Sequence, residues 1–543
     1  MSPFYLALAL VLSAVTFSSS AEPRPNIVIM LADDMGYSDI GCYGSEIATP
    51  NIDRLAREGV RFTQFYNMSR CCPTRAALLT GLYPHQAGIG QMVDAYAKGD
   101  RDKLNSPAYT DRLNEHCVTI AEALGAAGYE TMISGKWHVG NAREAWPDRR
   151  GFMRNFSLVS GAMNYFGVGP QHLRGITTMP MVSDGEPWTP PQEGFYSTDA
   201  FADHAVTFLR ERKDKERPFF LYLAFNAPHW PLQAPPEDIA KYRGKYRAGF
   251  GEVRKARLER QIEMGLLPKG TPLLPRDPQV KAWGTFSDAE RDEWDLRMAI
   301  YAAQVDHMDQ GIGRVLKTLH DIGAEENTLL FFLSDNGGCH ERVDQGKPEA
   351  ELGTRDSFSS YRRAWAQVSN TPFRLYKHWT HEGGISTPLI VRWPAQIHNG
   401  GGFNHEIGHV LDFMPTALDA AGAKYPKTFA GHDITPTEGV SLLPALRGEP
   451  LPRSQPLFWE HEGNRAVRDG KWKLVAQFGK PWELYDMESD RSETHDVASE
   501  QGTKVSELSA KYDAWAQRCQ VRDWALTKGK EAEQPEAETK SAP

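Results

Sequence analysis

Cysteine is scarce. Six in 543 residues are too few for a disulfide-dense scaffold, and a chain of this length needs no staples to bury a core. An excess of positive charge is also missing. The 61 Lys and Arg stand against 70 Asp and Glu, a formal net charge of −9, which argues against a general nucleic-acid binder that must neutralise phosphates. Beyond the first twenty residues no apolar run approaches the roughly 18 needed to cross a bilayer, and no repeat period is visible. What is present, 41% apolar and 24% charged residues, is the composition of a soluble globular enzyme. At about 150 residues per domain the length predicts two to four domains.

The N-terminus reads as an address. Phe4 to Phe17 is almost continuously apolar, Ser18-Ser19-Ser20-Ala21 supplies small residues, and Glu22-Pro23-Arg24 follows. That pattern predicts a secretory signal peptide over 1–21, with a retained membrane anchor as the alternative. The chain is therefore expected to be exported, periplasmic or secreted, with no stable membrane insertion. Export permits disulfides. Cys42, Cys71, Cys72, Cys117, Cys339 and Cys519 include an adjacent pair, and their spacing leaves the pairing open.

From Asn26 onward, apolar runs alternate with helical stripes. Asn26–Leu31, Tyr129–Ser134, Pro218–Phe225, Thr328–Leu333 and Pro388–Trp393 read as buried strands. Thr49-Pro50 reads as a helix start, with a stripe of Ile52, Leu55 and Ala56 ended by Gly59. Helices are also predicted over Thr119–Ala127, Asp199–Arg210 and Asp288–Ile322, the last with a break near Gly311 and Gly313. This α/β alternation predicts a large, mostly parallel sheet flanked by helices within 22–439. Residues 244–284 are basic and punctuated by Pro and Gly, and read as an insertion over one face. From 440 to 526 the pattern changes to short strands, with a hairpin turn at Asp469-Gly470 and a closing helix near Ser506–Gln517, a smaller C-terminal α+β subdomain. Residues 527–543 have the composition of a disordered tail.

Several strands run into polar residues. The first ends in Asp33-Asp34, the strand Thr328–Leu333 in Ser334-Asp335-Asn336-Gly337-Gly338, the strand from Tyr129 in Lys136-Trp137-His138, and Pro218–Phe225 in Asn226-Ala227-Pro228-His229. Ligands of open parallel sheets bind at the carboxyl ends of strands. Asp33, Asp34, Asp335 and Asn336 offer only hard oxygens, which suit Ca²⁺ or, less well, Mg²⁺, and not Zn²⁺. Taken alone, an Asp-Asp pair reads equally as helix caps or turn residues.

Ser69-Arg70-Cys71-Cys72-Pro73-Thr74-Arg75 precedes Ala76-Ala77-Leu78-Leu79-Thr80-Gly81. Pro73 sits at the start of a predicted helix closed by Gly81, so Cys71 and Arg75 lie at its anion-favouring N-terminus. Taken alone, a Cys before a helix reads as a small buried hydrophobe.

Cys71-x-Pro73-Thr74-Arg75 with Leu79-Thr80-Gly81 resembles the signature of the formylglycine-dependent sulfatases, with Thr74 where many members have Ser. The resemblance runs from Asn26 to about Trp524. It includes Pro50-Asn51-Ile52-Asp53, Gly135-Lys136-Trp137-His138, Ser334-Asp335-Asn336-Gly337 and Lys377-x-x-x-His381-Glu382-Gly383-Gly384; Phe373–Lys377 and Phe458–Gly463 look most like bacterial arylsulfatases. It is weakest over 244–284.

The resemblance implies an alkaline-phosphatase-like α/β fold and conversion of Cys71 to formylglycine (3-oxoalanine) by a maturation enzyme. It implies Asp33, Asp34, Asp335, Asn336 and the converted Cys71 as Ca²⁺ ligands. Arg75 would steady the hydrated aldehyde, and Lys136, His138, His229 and Lys377 would bind sulfate and move protons. The chemistry is coherent. A sulfate monoester is a negatively charged, poor electrophile that needs cations, a strong nucleophile and a proton for the leaving oxygen. A geminal diol can expel sulfate with its second hydroxyl, whereas an ordinary Ser or Cys would be left as a stable adduct.

His405-Glu406-Ile407-Gly408-His409 matches the zinc motif H-E-x-x-H, but Gly408 weakens the helix that motif requires and no extended motif follows. Trp230, His378 and Trp379 flank the proposed site and read as stacking surfaces or as core. The expected activity is an arylsulfatase-type sulfuric ester hydrolase acting on an aryl sulfate or a sulfated carbohydrate. Phosphomonoester or phosphonate hydrolysis and non-catalytic binding of sulfated glycans are the alternatives.

Overall fold

Six apolar side chains follow one another in Ile27–Ala32, and this segment lies inside a ten-stranded sheet, buried on both faces. The structure, a computed structural model, describes residues 23–171 and 176–527; the expected signal peptide and all of the expected tail except Thr527 lie outside the described residues. The strands are β1 (Asn26–Ala32), β2 (Val60–Tyr66), β3 (Glu130–Lys136), β4 (Arg154–Leu158), β5 (Met181–Ser183), β6 (Glu186–Trp188), β7 (Phe219–Ala224), β8 (Thr328–Ser334), β9 (Ser386–Arg392) and β10 (Gly402–His409). Their order is β10-β2-β9-β8-β1-β7-β3-β4-β5-β6. Ile27 lies opposite Phe220 of β7 and Leu329 of β8. Alternate residues of β1 feed two cores, Ile27, Ile29 and Leu31 on one face and Val28, Met30 and Ala32 on the other.

The expected α/β architecture with a mostly parallel sheet is observed, with antiparallel pairing of β5 to β4 and β6 near one edge and, more informatively, at β9. β9 is antiparallel to both β2 and β8. Its amino end therefore lies at the edge where β1, β3, β7 and β8 have their carboxyl ends. The loop preceding β9, which carries Lys377, reaches the same edge as Asp33, Lys136, His229 and Asp335.

Two helix expectations change in detail. The helix Asp288–Asp321 runs for 34 residues behind a Ser287/Glu290 capping box, without the break expected at Gly311 and Gly313. These glycines permit close approach instead: a β-carbon at Gly313 would lie 2.7 Å from the Asn51 side chain. That closeness matters because Asp309, on the same helix, accepts hydrogen bonds from the Asn51 (3.1 Å) and Ile52 (2.8 Å) amides. Asp309 thus caps the helix α1 (Pro50–Glu58). Thr49 holds the N-cap position but its hydroxyl accepts from the Gly41 amide.

The 244–284 segment contains a helix, Phe250–Glu263, followed by mostly irregular chain. It is fixed by charge as well as by apolar packing. Arg257 is fully buried and donates to Asp39 Oδ1 (2.6 Å) and to both oxygens of Glu46 (2.9 and 2.8 Å). The C-terminal region forms an antiparallel sheet of Leu457–His461, Asn464–Asp469, Trp472–Ala476 and Glu483–Asp486, backed by the helix Gly502–Arg518. Asp469 pairs with Trp472, so the hairpin turn is Gly470-Lys471, with Gly470 at φ 55°. Trp459 and Phe458 belong to the same apolar cluster as Ile27 and Leu31, and the Trp459 indole donates to Asn67 O (2.7 Å).

All six cysteines are buried and unpaired. The H-E-x-x-H segment lies on strand β10, where four residues span about 13 Å, and His409 Nδ1 accepts from the Leu411 amide. Among the described residues no helix is long and apolar enough to cross a membrane.

Removing Arg257 leaves Asp39 and Glu46 without their buried cation, a loss of about 3–5 kcal/mol. Arg257→Met is expected to lower the midpoint of thermal unfolding clearly, while Lys255→Met, at a pair with both side chains more than half exposed, leaves it nearly unchanged. Equal midpoints for the two variants would contradict this account of how the segment is held.

Candidate active site

At its carboxyl end β2 runs through Asn67–Arg70 into the helix α2 (Cys71–Thr80), every residue of which is buried. The helix begins two residues earlier than Pro73 suggests. Arg70 is the N-cap, Cys71 is the first helical residue, and Pro73 occupies a first-turn position whose amide would be unpaired in any case. Thr74 Oγ1 accepts from the Met68 amide, tying the entry loop to the first turn, and Gly81 ends the helix at φ 70°. Cys71 therefore sits at the positive end of a helix beneath the sheet edge.

The strand ends place three carboxylates and an amide around one point. The Asp33 amide extends the ladder to Ala227 O and the Asp335 amide to Ala32 O. Asp34 adopts φ 64°, and its amide donates to Asp335 Oδ1 (3.2 Å). Asn336 Nδ2 donates to Asp34 Oδ1 (2.7 Å). Asp33, Asp335 and Asn336 are 0% exposed and Asp34 is 1% exposed. Asp33 Oδ1 and Asn336 Oδ1 have no hydrogen-bond partner. Burial, reinforced by Asp335, pushes the Asp33 carboxyl well above the usual carboxylate range, against the pull of Lys136 and Arg75.

Three buried cations compensate this set. Arg75 donates Nε (3.1 Å) and a terminal nitrogen (2.7 Å) to Asp335 Oδ2, and its other terminal nitrogen to Lys136 O (2.9 Å). Lys136 Nζ donates to Asp33 Oδ2 (2.6 Å). Lys377 Nζ donates to Asp34 Oδ2 (3.0 Å) and lies 3.3 Å from His229 Nε2. Burial lowers the proton affinity of both lysines, but the carboxylates prevail and both are held above the usual lysine range.

The Cys71 thiol is held well below its usual range. A hydrogen bond from the Cys72 thiol is the main cause, opposed by burial and helped by Lys136, His138 and Lys377. His138 adopts φ 56° and lies 2.8 Å from Asp94 Oδ2; burial disfavours its imidazolium, yet Asp94 raises it. His229 behaves oppositely. Burial, then Lys377 and Lys136, push it well below its usual value. Its Nδ1 lies 2.6 Å from Trp230 O, so Nδ1 carries the proton and Nε2 presents a lone pair to Lys377.

All the candidate residues named from the sequence, Asp33, Asp34, Cys71, Arg75, Lys136, His138, His229, Asp335, Asn336 and Lys377, thus lie at one edge of the sheet. Sequence reasoning missed Asp94 and Glu341, because loop carboxylates without periodicity or motif give no signal before folding, and it met Glu462 within Phe458–Gly463 without giving it a role. A cavity of about 940 Å³ lies elsewhere, between Gly265–Thr271, the end of β10 and the C-terminal sheet.

Residues 25–423 match the family profile described as Sulfatase, and residues 373–517 match one described as N-sulphoglucosamine sulphohydrolase, C-terminal. An uncharacterized sulfatase of Schizosaccharomyces pombe is 36% identical over 529 residues, covering 91% of this chain and 94% of that protein. The arylsulfatase of Klebsiella aerogenes is 35% identical, covering 80% of this chain and 95% of that protein. Among solved structures, the crystal structure of Ps i-CgsB is 28% identical with a TM-score of 0.66, covering 91% and 93% of the two chains; it was also solved in complex with k-i-k-neocarrahexaose.

Proposed function

This chain belongs to the sulfatase family of hydrolases, and from that premise we propose that it cleaves sulfate monoesters in the arylsulfatase manner, on an aryl or carbohydrate sulfate, with Cys71 converted to formylglycine beside a bound Ca²⁺. The observation that carries this reading is Cys71 at a helix N-terminus, in electrostatic reach of Lys136 and Lys377, which together with Arg75 bind the buried Asp33, Asp34 and Asp335.

The residues fit the implied groups. Asp33, Asp34, Asp335 and Asn336 would hold the ion, and the unpartnered Asp33 Oδ1 and Asn336 Oδ1 are oxygens of the kind a hard cation satisfies. Ca²⁺ accepts an irregular set of oxygens, whereas Mg²⁺ keeps several waters, for which so buried a cluster leaves little space. When present, the hydrated aldehyde and the ion together supply an acidified hydroxyl for attack on sulfur and a second hydroxyl that later releases sulfate.

The chain's own residues do the remaining work. Lys136 and Lys377 neutralise the sulfate oxygens, each exchanging part of its carboxylate contact for the substrate. Arg75 holds Asp335 and the Lys136 carbonyl in place. His138, whose imidazolium burial disfavours and Asp94 favours, lies beside position 71. The proton for the leaving oxygen comes from Lys377, because neutral His229 presents a bare Nε2; His229 orients that ammonium by accepting a hydrogen bond from it. Cys71 is 1% exposed, so the maturation enzyme meets this segment before the chain folds. The signal-peptide pattern supports export of the enzyme.

Two outcomes test this reading. Adding Ca²⁺ to chelator-treated protein is expected to raise its unfolding temperature, and Asn336→Ala or Asp335→Ala to reduce that rise and abolish turnover. An undiminished shift in both variants would remove these residues from the ligand set. Lys377→Met is expected to lower kcat on an alkyl sulfate by about 10²–10⁴-fold, the range of general acid catalysis, and to lower it less on 4-nitrophenyl sulfate, whose leaving group needs little protonation. Equal losses on both esters would reassign the acid.

A further inference from the structure

Outside the reacting centre the side chains change character. The centre is closed, with Cys71, Lys136, His138, His229 and Lys377 all nearly inaccessible. Chain neighbours of these residues and the two glutamates they contact reach solvent: the Arg70 side chain is 14% exposed, Glu341 26%, His378 24% and Glu462 24%, and Trp230 is half-buried. Arg70 precedes Cys71, Trp230 follows His229 and His378 follows Lys377, while Arg70 and Trp230 bind Glu341 and His378 lies against Glu462, so these groups form a partly exposed rim next to the centre.

Two carboxylates dominate this rim, and both are fixed. Arg70 donates to Glu341 Oε1 (2.9 Å) and the Trp230 indole donates to Glu341 Oε2 (2.9 Å). Glu462 lies at a two-residue hairpin turn of the C-terminal sheet, where Glu462 (φ 51°) and Gly463 (φ 80°) join His461 to Asn464. A glutamate in this left-handed region is unfavourable, and such positions collect at functional sites. Gln91 Nε2 donates to Glu462 Oε1 (3.0 Å), and His378 Nδ1 lies 3.3 Å from Glu462 Oε2. Despite burial, Lys377 and Arg70 hold Glu341 well below its usual range, and His461, His378 and Arg70 hold Glu462 at about 2.

His378, His461 and Glu462 could be taken for a metal donor set, since their ligand atoms lie within 4.8 Å of one another. The hydrogen bonds argue otherwise. Asn464 Nδ2 donates to His378 Nε2 (3.1 Å), while Asn464 Oδ1 is occupied by the Phe478 amide. His378 Nδ1 therefore carries a hydrogen toward Glu462 instead of a lone pair toward an ion.

We propose that Arg70, Trp230, Glu341, His378 and Glu462 form the leaving-group subsite, and that this subsite is built for a neutral sugar ring bearing a single sulfate. The inference rests on the sulfate-ester reading above. An ionised carboxylate is purely an acceptor with about four positions. Glu341 and Glu462 each spend some of these on the protein, and the remainder require donors. Sugar hydroxyls supply donors and the half-buried Trp230 supplies a stacking face. An aryl group supplies none. A leaving group with a further sulfate or a uronate meets two carboxylates against one Arg70, a mismatch that disfavours it.

The test uses converted, Ca²⁺-loaded enzyme with methyl hexopyranoside monosulfates sulfated at each position in turn, the corresponding disulfates, and 4-nitrophenyl sulfate. The best monosulfate is expected to have a KM at least tenfold below that of its disulfates. In Glu462→Gln, the ratio of kcat/KM for that monosulfate to kcat/KM for 4-nitrophenyl sulfate is expected to fall at least tenfold, with most of the change in KM. Glu341→Gln is expected to behave alike. A parallel fall on both substrates would mark the glutamates as structural and overturn the proposal, as would a preference for disulfates. No hydrolysis of any sulfate ester, 4-nitrophenyl sulfate included, would overturn the parent reading and this inference with it.

Discussion

Three carboxylates at adjoining strand ends, removed from water, are the constraint on which this structure turns. Unpaired, Asp33, Asp34 and Asp335 would each carry a desolvation cost of several kcal/mol. The fold answers with Arg75 on Asp335, Lys136 on Asp33 and Lys377 on Asp34. Each cation comes from a different part of the chain: the helix after β2, the end of β3 and the loop before β9. Holding the acids together therefore requires the sheet order, and the antiparallel insertion of β9 is what brings Lys377 to the right edge. The same arrangement serves chemistry, because cations already facing carboxylates are positioned to face a sulfate.

The surrounding elements secure that edge. Lys473, fully buried on the C-terminal sheet, lies 2.9 Å from Glu382 and 2.7 Å from Glu493, and so fastens the segment leading from Lys377 into β9. Glu462, on a neighbouring hairpin, reaches the mouth of the site. The C-terminal sheet is thus joined to the edge of the large sheet by charge as well as by the apolar packing of Trp459 against Tyr66, whose rings lie 5.7 Å apart. Arg257 plays a comparable part for the helix Phe250–Glu263, through Asp39 and Glu46.

Much of this was legible in the sequence, and the reasons are physical. Apolar runs such as those of β1, β7 and β8 announce buried strands, and a polar residue directly after such a run has few places to go except the sheet edge. The cysteine signature is local and fixes both a helix and a family resemblance. Direction and partnership were not legible. The apolar run of β9 does not say that it opposes its neighbours. Gly311 and Gly313 look like a helix break, although Gly313 lets α1 approach and Gly311 faces Ala202 and Phe225. Pro73 suggested a helix start two residues too late, because a first-turn proline is tolerated at more than one position. Asp94 beside His138 and Glu341 beside Arg70 come from loops, where spacing carries no information about contact.

The central claim is that the group at position 71 acts as an oxidised carbonyl held among these charges. Mass spectrometry of the peptide containing Cys71, taken from preparations with measured sulfate-ester turnover, tests it most directly. The account predicts that activity tracks the fraction of that peptide carrying an aldehyde or its hydrate in place of the thiol. A fully active preparation with an intact thiol there, or undiminished turnover in Cys71→Ala, would contradict it.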